Sequence, residues 1–198
     1  HHTVAIKDIY NTVNGALAPV FPNNSFDVTE ENIQARIRGL LLMAYSNKHG
    51  NMLLNTSNKS EAAVGYSTLY GDTNGGLSPI GDVYKSDVYA IARYINRDER
   101  IIPVGSIEKP PSAELRPEQQ DSDSLPDYDI LDRMLFEFIE RKQSVDDIIG
   151  MGFKKSDVLK VTRLVNMNEY KRYQFPPILR VSSKAFGMGR RFPIVARY

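Results

Sequence analysis

Leu53-Leu54-Asn55-Thr56-Ser57-Asn58-Lys59-Ser60-Glu61, continued by Gly65-Tyr66-Ser67-Thr68-Leu69-Tyr70-Gly71-Asp72, is the stretch on which the fold turns. A short apolar run breaks into small polar residues and then into a helix start. α/β proteins build ligand sites this way, at the carboxyl end of a strand. The groups delivered there are hydroxyls, amides and one carboxylate, Glu61. Such a set suits a ribose, a phosphate and a bound Mg²⁺, which takes hard oxygen ligands.

Working outward, Met52 to Leu54 read as a buried strand and Asn58 to Val64 as a short helix. Upstream, Thr3 to Ile6 suggest a short strand and Lys7 to Leu17 a helix, followed by a loop through Pro19, Pro22, Asn23 and Asn24. Asp27 and Glu30 have the spacing of a capping box for a long helix to about Asn47. Ile33, Ile37, Leu40, Leu41 and Ala44 give that helix an apolar stripe. His49-Gly50-Asn51 ends it.

Downstream, Pro79 and Asp82 precede a helix to about Asn96, with Tyr84, Val88, Ile91, Ala92 and Ile95 at helical spacing. Residues Ile107 to Pro126 read as a long ordered loop, a length usually tied to function or disorder. Ile130, Leu131, Met134, Leu135, Phe138 and Ile139 mark an amphipathic helix. A short helix over Ser144 to Gly150 and a longer one from Lys155 to about Tyr173 follow, stopped by Pro176-Pro177. The expected class is α/β: a partial doubly wound parallel sheet, helix-dominated, with two or three short strands.

Composition narrows the chemistry. A chain of 198 residues can bury a core. With 25 basic and 24 acidic residues, total charge predicts no particular partner. Cysteine is absent, which excludes disulfides, thiolate catalysis and Cys-based zinc sites and fits a cytoplasmic, reducing setting. His1, His2 and His49 lack metal-ligand spacing. No apolar run approaches the roughly 20 residues of a membrane span, and no signal peptide is visible.

Charge is unevenly spread. Glu108 to Asp132 hold eight acidic and two basic residues, whereas Lys171 to Tyr198 hold seven basic and no acidic ones. A solvated surface is the plain reading of both. The basic extension alternatively suits phosphate, nucleic acid or the acidic stretch of a neighbouring subunit. Nucleic acid is the weakest of these, since no aromatic-basic motif accompanies the charge.

Several motifs occur together in an order that resembles NAD synthetases. They are Asn32-Ile33-Gln34-Ala35-Arg36-Ile37-Arg38, Asn58-Lys59-Ser60-Glu61, Gly65 to Asp72, Pro111-Ser112-Ala113-Glu114-Leu115 and Glu169-Tyr170-Lys171-Arg172. The tail, Lys184-Ala185-Phe186-Gly187 with Arg190-Arg191-Phe192-Pro193-Ile194, is similar to the glutamine-dependent branch, in which a glutaminase domain precedes the synthetase domain. The match runs from about Thr29 to the C-terminus, leaving residues 1–28 poorly matched and 171–198 as a basic extension.

The resemblance implies an adenine nucleotide α-hydrolase-like sheet and an ATP-dependent amidation of deamido-NAD to NAD through an acyl-adenylate. ATP is the co-substrate and glutamine or ammonia the nitrogen donor, with Mg²⁺ as cofactor and a homo-oligomer as the assembly. Such chemistry needs phosphate neutralisation, alignment of two nucleotides and exclusion of water, but no protein nucleophile. The family's Ser-Gly-Gly-x-Asp-Ser loop, which cradles pyrophosphate, does not occur among these 198 residues. Neither Gly71 to Gly76 nor Gly187-Met188-Gly189 replaces it. The expectation is therefore a C-terminal part of a synthetase domain, inactive alone, with His1-His2 as a tag remnant or a segment edge.

By the same resemblance, Thr56, Lys85 and Ser112 contact ATP. Asn32, Arg38, Glu61, Tyr66, Ser67, Thr68, Asp72 and Lys171 contact deamido-NAD, Arg38 and Asn32 across a subunit interface, and Glu61 also serves Mg²⁺. Each has a plainer reading: Glu61 as a carboxylate favoured by a helix N-terminus, Thr56 as a capping hydroxyl, the arginines and Lys85 as solvated charges. Lys85 in a first helical turn opposes the helix dipole, so a nearby anion is expected. Asn55 and Ser57 stand where relatives often carry Thr and Gly. Leu69 replaces a lysine, and Tyr170 a histidine, of the ammonia-dependent enzymes. The competing class is a helical dimerisation or interaction module; another ATP pyrophosphatase such as a GMP synthetase lacks the Asn58 to Asp72 signature.

Overall fold

A computed structural model describes residues 2–21, 25–187, 189–191 and 193–194. Of the sequence expectations, His1, the Pro22 to Asn24 part of the first loop, Met188, Phe192 and residues 195–198 lie outside the described residues.

The helix-rich chain is built around one very short helix. α3 (Lys59–Val64) is capped at both ends by its own sequence. The Asn58 side chain accepts the Glu61 amide at 3.0 Å, and Glu61 Oε2 accepts the Asn58 amide at 3.1 Å. Gly65 closes it at φ +71°, where a Cβ would also lie 2.1 Å from Asn168. Ala62, Ala63 and Val64 of α3 pack into a core with Leu131, Met134, Leu135 and Ile139 of α6 (Tyr128–Ile139), Ile148 of α7 (Val145–Gly150) and Val158, Val161 and Val165 of α8 (Lys155–Met167). Full burial of each Leu, Ile or Val side chain contributes roughly 1.5–3 kcal/mol. This core fixes α3, and α3 in turn carries the site.

α1 (Lys7–Leu17) lies against α2 (Val28–His49). The expected capping box of α2 is present: Asp27 Oδ1 accepts the Thr29 amide at 2.6 Å and Glu30 Oε2 the Asp27 amide at 2.9 Å. Gly50 ends the helix at φ +66°. The expected apolar stripe holds only in the first half. Ile33 and Ile37 are buried, whereas Leu40 is 62% exposed, because α2 meets the 65–74 turns on the face that carries Ala35 and Gly39. Gly39 marks that approach, with a Cβ position 2.9 Å from Tyr70 O.

Three further expectations are corrected. No strand forms among the described residues; Thr3 to Ile6 are irregular, and Met52 to Leu54 contribute one bridge, from Leu54 to Leu77. Met52 and Leu54 are exposed rather than buried. A second parallel bridge, Ser78 to Ile178, extends the row, supported by amide bonds Asn55 to Leu77 O and Ser78 to Pro177 O, both 2.8 Å. The stripe on α4 (Lys85–Ile95) is not buried either, since Ile91 and Ile95 face outward.

The long C-terminal helix is divided at Asn168 into α8 and α9 (Glu169–Arg172). Asn168 turns its amide to Val64 O and Leu164 O, 2.9 Å each, and so binds the end of α3 instead of continuing α8. The 107–126 segment includes the end of α5 (Val104–Glu108) and a 3₁₀ turn at Asp121–Asp123. No helix among the described residues is long and apolar enough to cross a membrane.

Candidate active site

Beyond α3 the chain turns through Gly65 to Asp72 and faces the first half of α2. A pocket of ≈ 320 Å³ opens there, lined by Asn32 and Arg36 of α2, by Tyr66, Ser67, Thr68, Leu69 and Asp72, and by Tyr170 and Lys171 of α9. Ala113, Leu115 and Gln119 of the long loop close one side. Asn32, Tyr66, Ser67, Thr68, Asp72 and Lys171, singled out in the sequence, are thus brought together.

Short bonds hold this wall. Thr68 Oγ1 donates to Asn32 Oδ1 at 2.7 Å, and the Thr68 amide donates to Asp72 Oδ1 at 2.5 Å. Arg36 Nε donates to Leu69 O at 3.2 Å, and Gln34 Nε2 to Leu115 O at 2.8 Å, tying the long loop to α2. Lys171 Nζ donates to Gly65 O and Ser67 O, both at 2.7 Å. Among the described residues, the buried hydroxyl of Ser67 has no hydrogen-bond partner.

Desolvation governs the charges. Withdrawal of the Asp72 carboxylate from water raises its pKa, opposed by the Thr68 amide bond and the Lys171 charge. Burial lowers the Lys171 pKa, and Asp72 acts against that. Burial, then the Asp121 charge, pushes the Tyr66 phenol up. The pocket therefore offers a carboxylate, a cation, hydroxyls and an aromatic ring within a partly dried space, a set suited to a polar ligand.

The remaining candidates lie outside this lining. Glu61 Oε1 pairs with Lys85 Nζ at 3.2 Å. Burial raises the Glu61 pKa despite Lys85 and Asn58. Lys85 Nζ also sits 5.5 Å from the Tyr128 ring centre and 5.8 Å from that of Tyr89. Thr56 is exposed where the Leu54 bridge ends. Ser112 Oγ accepts the Glu114 amide at 3.1 Å inside the long loop. Arg38 is exposed on α2, its charge felt by Glu114. Among the described residues no group of three His, Cys, Asp or Glu side chains is placed for a metal. Mg²⁺ often takes one or two carboxylates with waters and substrate phosphates, so Glu61 fits as a single contributor.

Other residues that shape the site were given no role in the sequence reading. Lys59 is fully buried, paired with Asp82 at 2.8 Å and with Glu140, and donates to Ser182 Oγ at 2.7 Å. Asp82 accepts the Val181 and Ser182 amides at 2.8 and 2.6 Å, which fastens the basic extension behind α3. Arg172 is also buried, on Ala63 O at 2.6 Å and Glu169 at 2.7 Å. Buried Asp121 accepts the Tyr128 hydroxyl at 2.8 Å. Only the acidic and basic residue types hinted at these pairs; their partners are 23 to 123 residues apart in the chain for Lys59 alone.

A model of the NAD synthase family matches residues 1–175. A glutamine-dependent NAD(+) synthetase from Synechocystis sp. is 51% identical over 196 residues, covering 99% of this chain and 35% of the relative. One from Acinetobacter baylyi is 54% identical over 198 residues, covering 98% and 37%. Among solved structures, glutamine-dependent NAD+ synthetase from Acinetobacter baumannii in complex with adenosine diphosphate is 46% identical, with TM-score 0.52, covering 96% of this chain and 34% of that one. NMN synthetase from Francisella tularensis is 26% identical, with TM-score 0.70, covering 87% and 63%. The chain spans about a third of the length of the curated relatives it matches.

Proposed function

The chain belongs to the NAD synthase family, and from that premise we propose that it forms the deamido-NAD-facing part of a glutamine-dependent NAD synthetase. The observation that carries this reading is the convergence of Asn32, Tyr66, Ser67, Thr68, Asp72 and Lys171 on one pocket. The parallel bridges Leu54 to Leu77 and Ser78 to Ile178 are read as the edge of a doubly wound sheet.

In the reaction, a carboxylate oxygen of deamido-NAD attacks the α-phosphate of ATP and pyrophosphate leaves. Ammonia, released from glutamine by a glutaminase domain of the longer enzyme, then displaces AMP from the acyl-adenylate to give the amide. The pocket holds the pyridine end against Tyr66 and Leu69, with Asp72 and Lys171 at its polar side. Lys85 supplies positive charge to the ATP phosphates, Thr56 and Ser112 contact the same nucleotide, and Glu61 would hold Mg²⁺. When bound, Mg²⁺ neutralises phosphate charge. Closure by Ala113, Leu115 and Gln119 keeps water from the activated acyl group.

A homo-oligomer belongs to the same reading. Leu40, Leu42, Met43 and Tyr45 leave the second half of α2 apolar and exposed, and Arg38 stands beside them. A dimerisation module without catalysis is the second reading, favoured by that surface alone.

The test is NAD formation from deamido-NAD, ATP, Mg²⁺ and ammonia. These 198 residues alone are expected to give none, because the pyrophosphate loop is not among them. Turnover comparable to that of an intact synthetase would refute the need for that loop.

A further inference from the structure

α4 begins with an uncapped end. Its N-cap residue is Tyr84, whose side chain makes no capping bond, and none of its residues is fully buried. Core packing therefore does little to hold the helix, and Lys85 in its first turn opposes the dipole. An N-terminus of this kind frays unless its free amides find acceptors.

The acceptors come from two other helices. The Lys85 amide donates to Ser60 Oγ of α3 at 2.9 Å, and Ser60 Oγ donates its own proton to Asp132 Oδ1 of α6. The Ser86 amide donates to Asp132 Oδ2 at 2.8 Å, and Ser86 Oγ donates to the same oxygen. Ser60 is fully buried and Asp132 is 6% exposed. One carboxylate thus gathers three donors and joins the starts of α3 and α4, the two helices that carry Glu61 and Lys85.

We propose that Asp132 is a positioning residue for Lys85, supplying from α6 the cap that Tyr84 cannot and so holding the lysine beside Glu61 for the phosphates of ATP. The proposal rests on the reading of Lys85 as an ATP contact. Asp132 touches no nucleotide itself. An Asn at this position keeps one acceptor oxygen in place of two and carries no charge, so it weakens the cap while keeping the shape.

Two measurements on the same chain test this. Amide hydrogen exchange at Lys85 and Ser86 is expected to quicken at least tenfold in Asp132→Asn. Calorimetric titration with ATP and Mg²⁺ is expected to show about tenfold weaker binding in Asp132→Asn. In Lys85→Ala the second substitution should add little, because both act through the same lysine. A merely structural role would lower the urea midpoint without changing ATP affinity, or would weaken ATP additively with Lys85→Ala; either result overturns the proposal, as does unchanged exchange. Should Asp132→Asn fail to fold, Ser86→Ala removes one hydroxyl of the cap and is read the same way. If the unaltered chain binds no ATP while exchange at Lys85 still quickens in the variant, the nucleotide reading fails and the cap alone remains.

Discussion

Lys171 donates to Gly65 O and Ser67 O while lining the pocket, so one side chain both shapes the wall and charges it. Lys171→Ala leaves two carbonyls without this donor, and we expect a loss of roughly 1–3 kcal/mol in urea unfolding together with weaker deamido-NAD binding. Lys171→Arg, which keeps the charge with a different fork, should recover stability more than affinity. Gly65 has no such latitude. At φ +71°, with Asn168 against the space of a Cβ, Gly65→Ala should cost well over ~1 kcal/mol, read as a lowered urea midpoint. The motifs of the resemblance, rather than residue types, marked Asn32, Asp72 and Lys171 as candidates for one site. They did not expose the role of Lys59, which depends on Asp82, Glu140 and Ser182 arriving from distant parts of the chain.

Helices written by local rules were legible in the sequence, and those decided by distant partners were not. Asp27 with Glu30 and Ser144 with Asp147 announce α2 and α7 through bonds spanning three residues. The α8–α9 break is invisible locally because Asn168 makes it by reaching Val64 O, 104 residues away. The row through Leu54, Leu77 and Ile178 is likewise too short and too dispersed for a strand pattern to reveal. The attachment of the basic extension gives a pH signature. Burial works against ionisation of Asp82, but Lys59 and the Ser182 and Val181 donors outweigh it and hold its pKa below the ordinary carboxylate value. A depressed carboxylate stabilises the fold above its unfolded pKa of about 4 and loses that contribution as pH falls through the folded value. The difference in urea midpoint between the unaltered chain and Asp82→Asn should therefore be full near neutrality and shrink on acidification below pH 4. Lys59→Met, which leaves Asp82 and Glu140 buried without their cation, should cost ~3–5 kcal/mol at neutral pH.

At the level of the whole molecule, the core around α3, α6, α7 and α8 presents one preformed pocket beside a Glu61–Lys85 pair held by separate elements. Thr56 and Ser112 do not line that pocket, so the structure leaves these two candidates apart from the residues that converge there. The family was readable because its motifs lie in order along the sequence; the convergence of Asn32 with Asp72 and Lys171 needed the fold. The most direct test is calorimetric titration of the chain with deamido-NAD. Saturable binding at one site per chain is expected, with Kd raised about tenfold, ~1.4 kcal/mol, in Asn32→Ala and in Asp72→Ala while the urea midpoints show both folded. No binding, or binding that neither substitution alters, would contradict the assignment of this pocket.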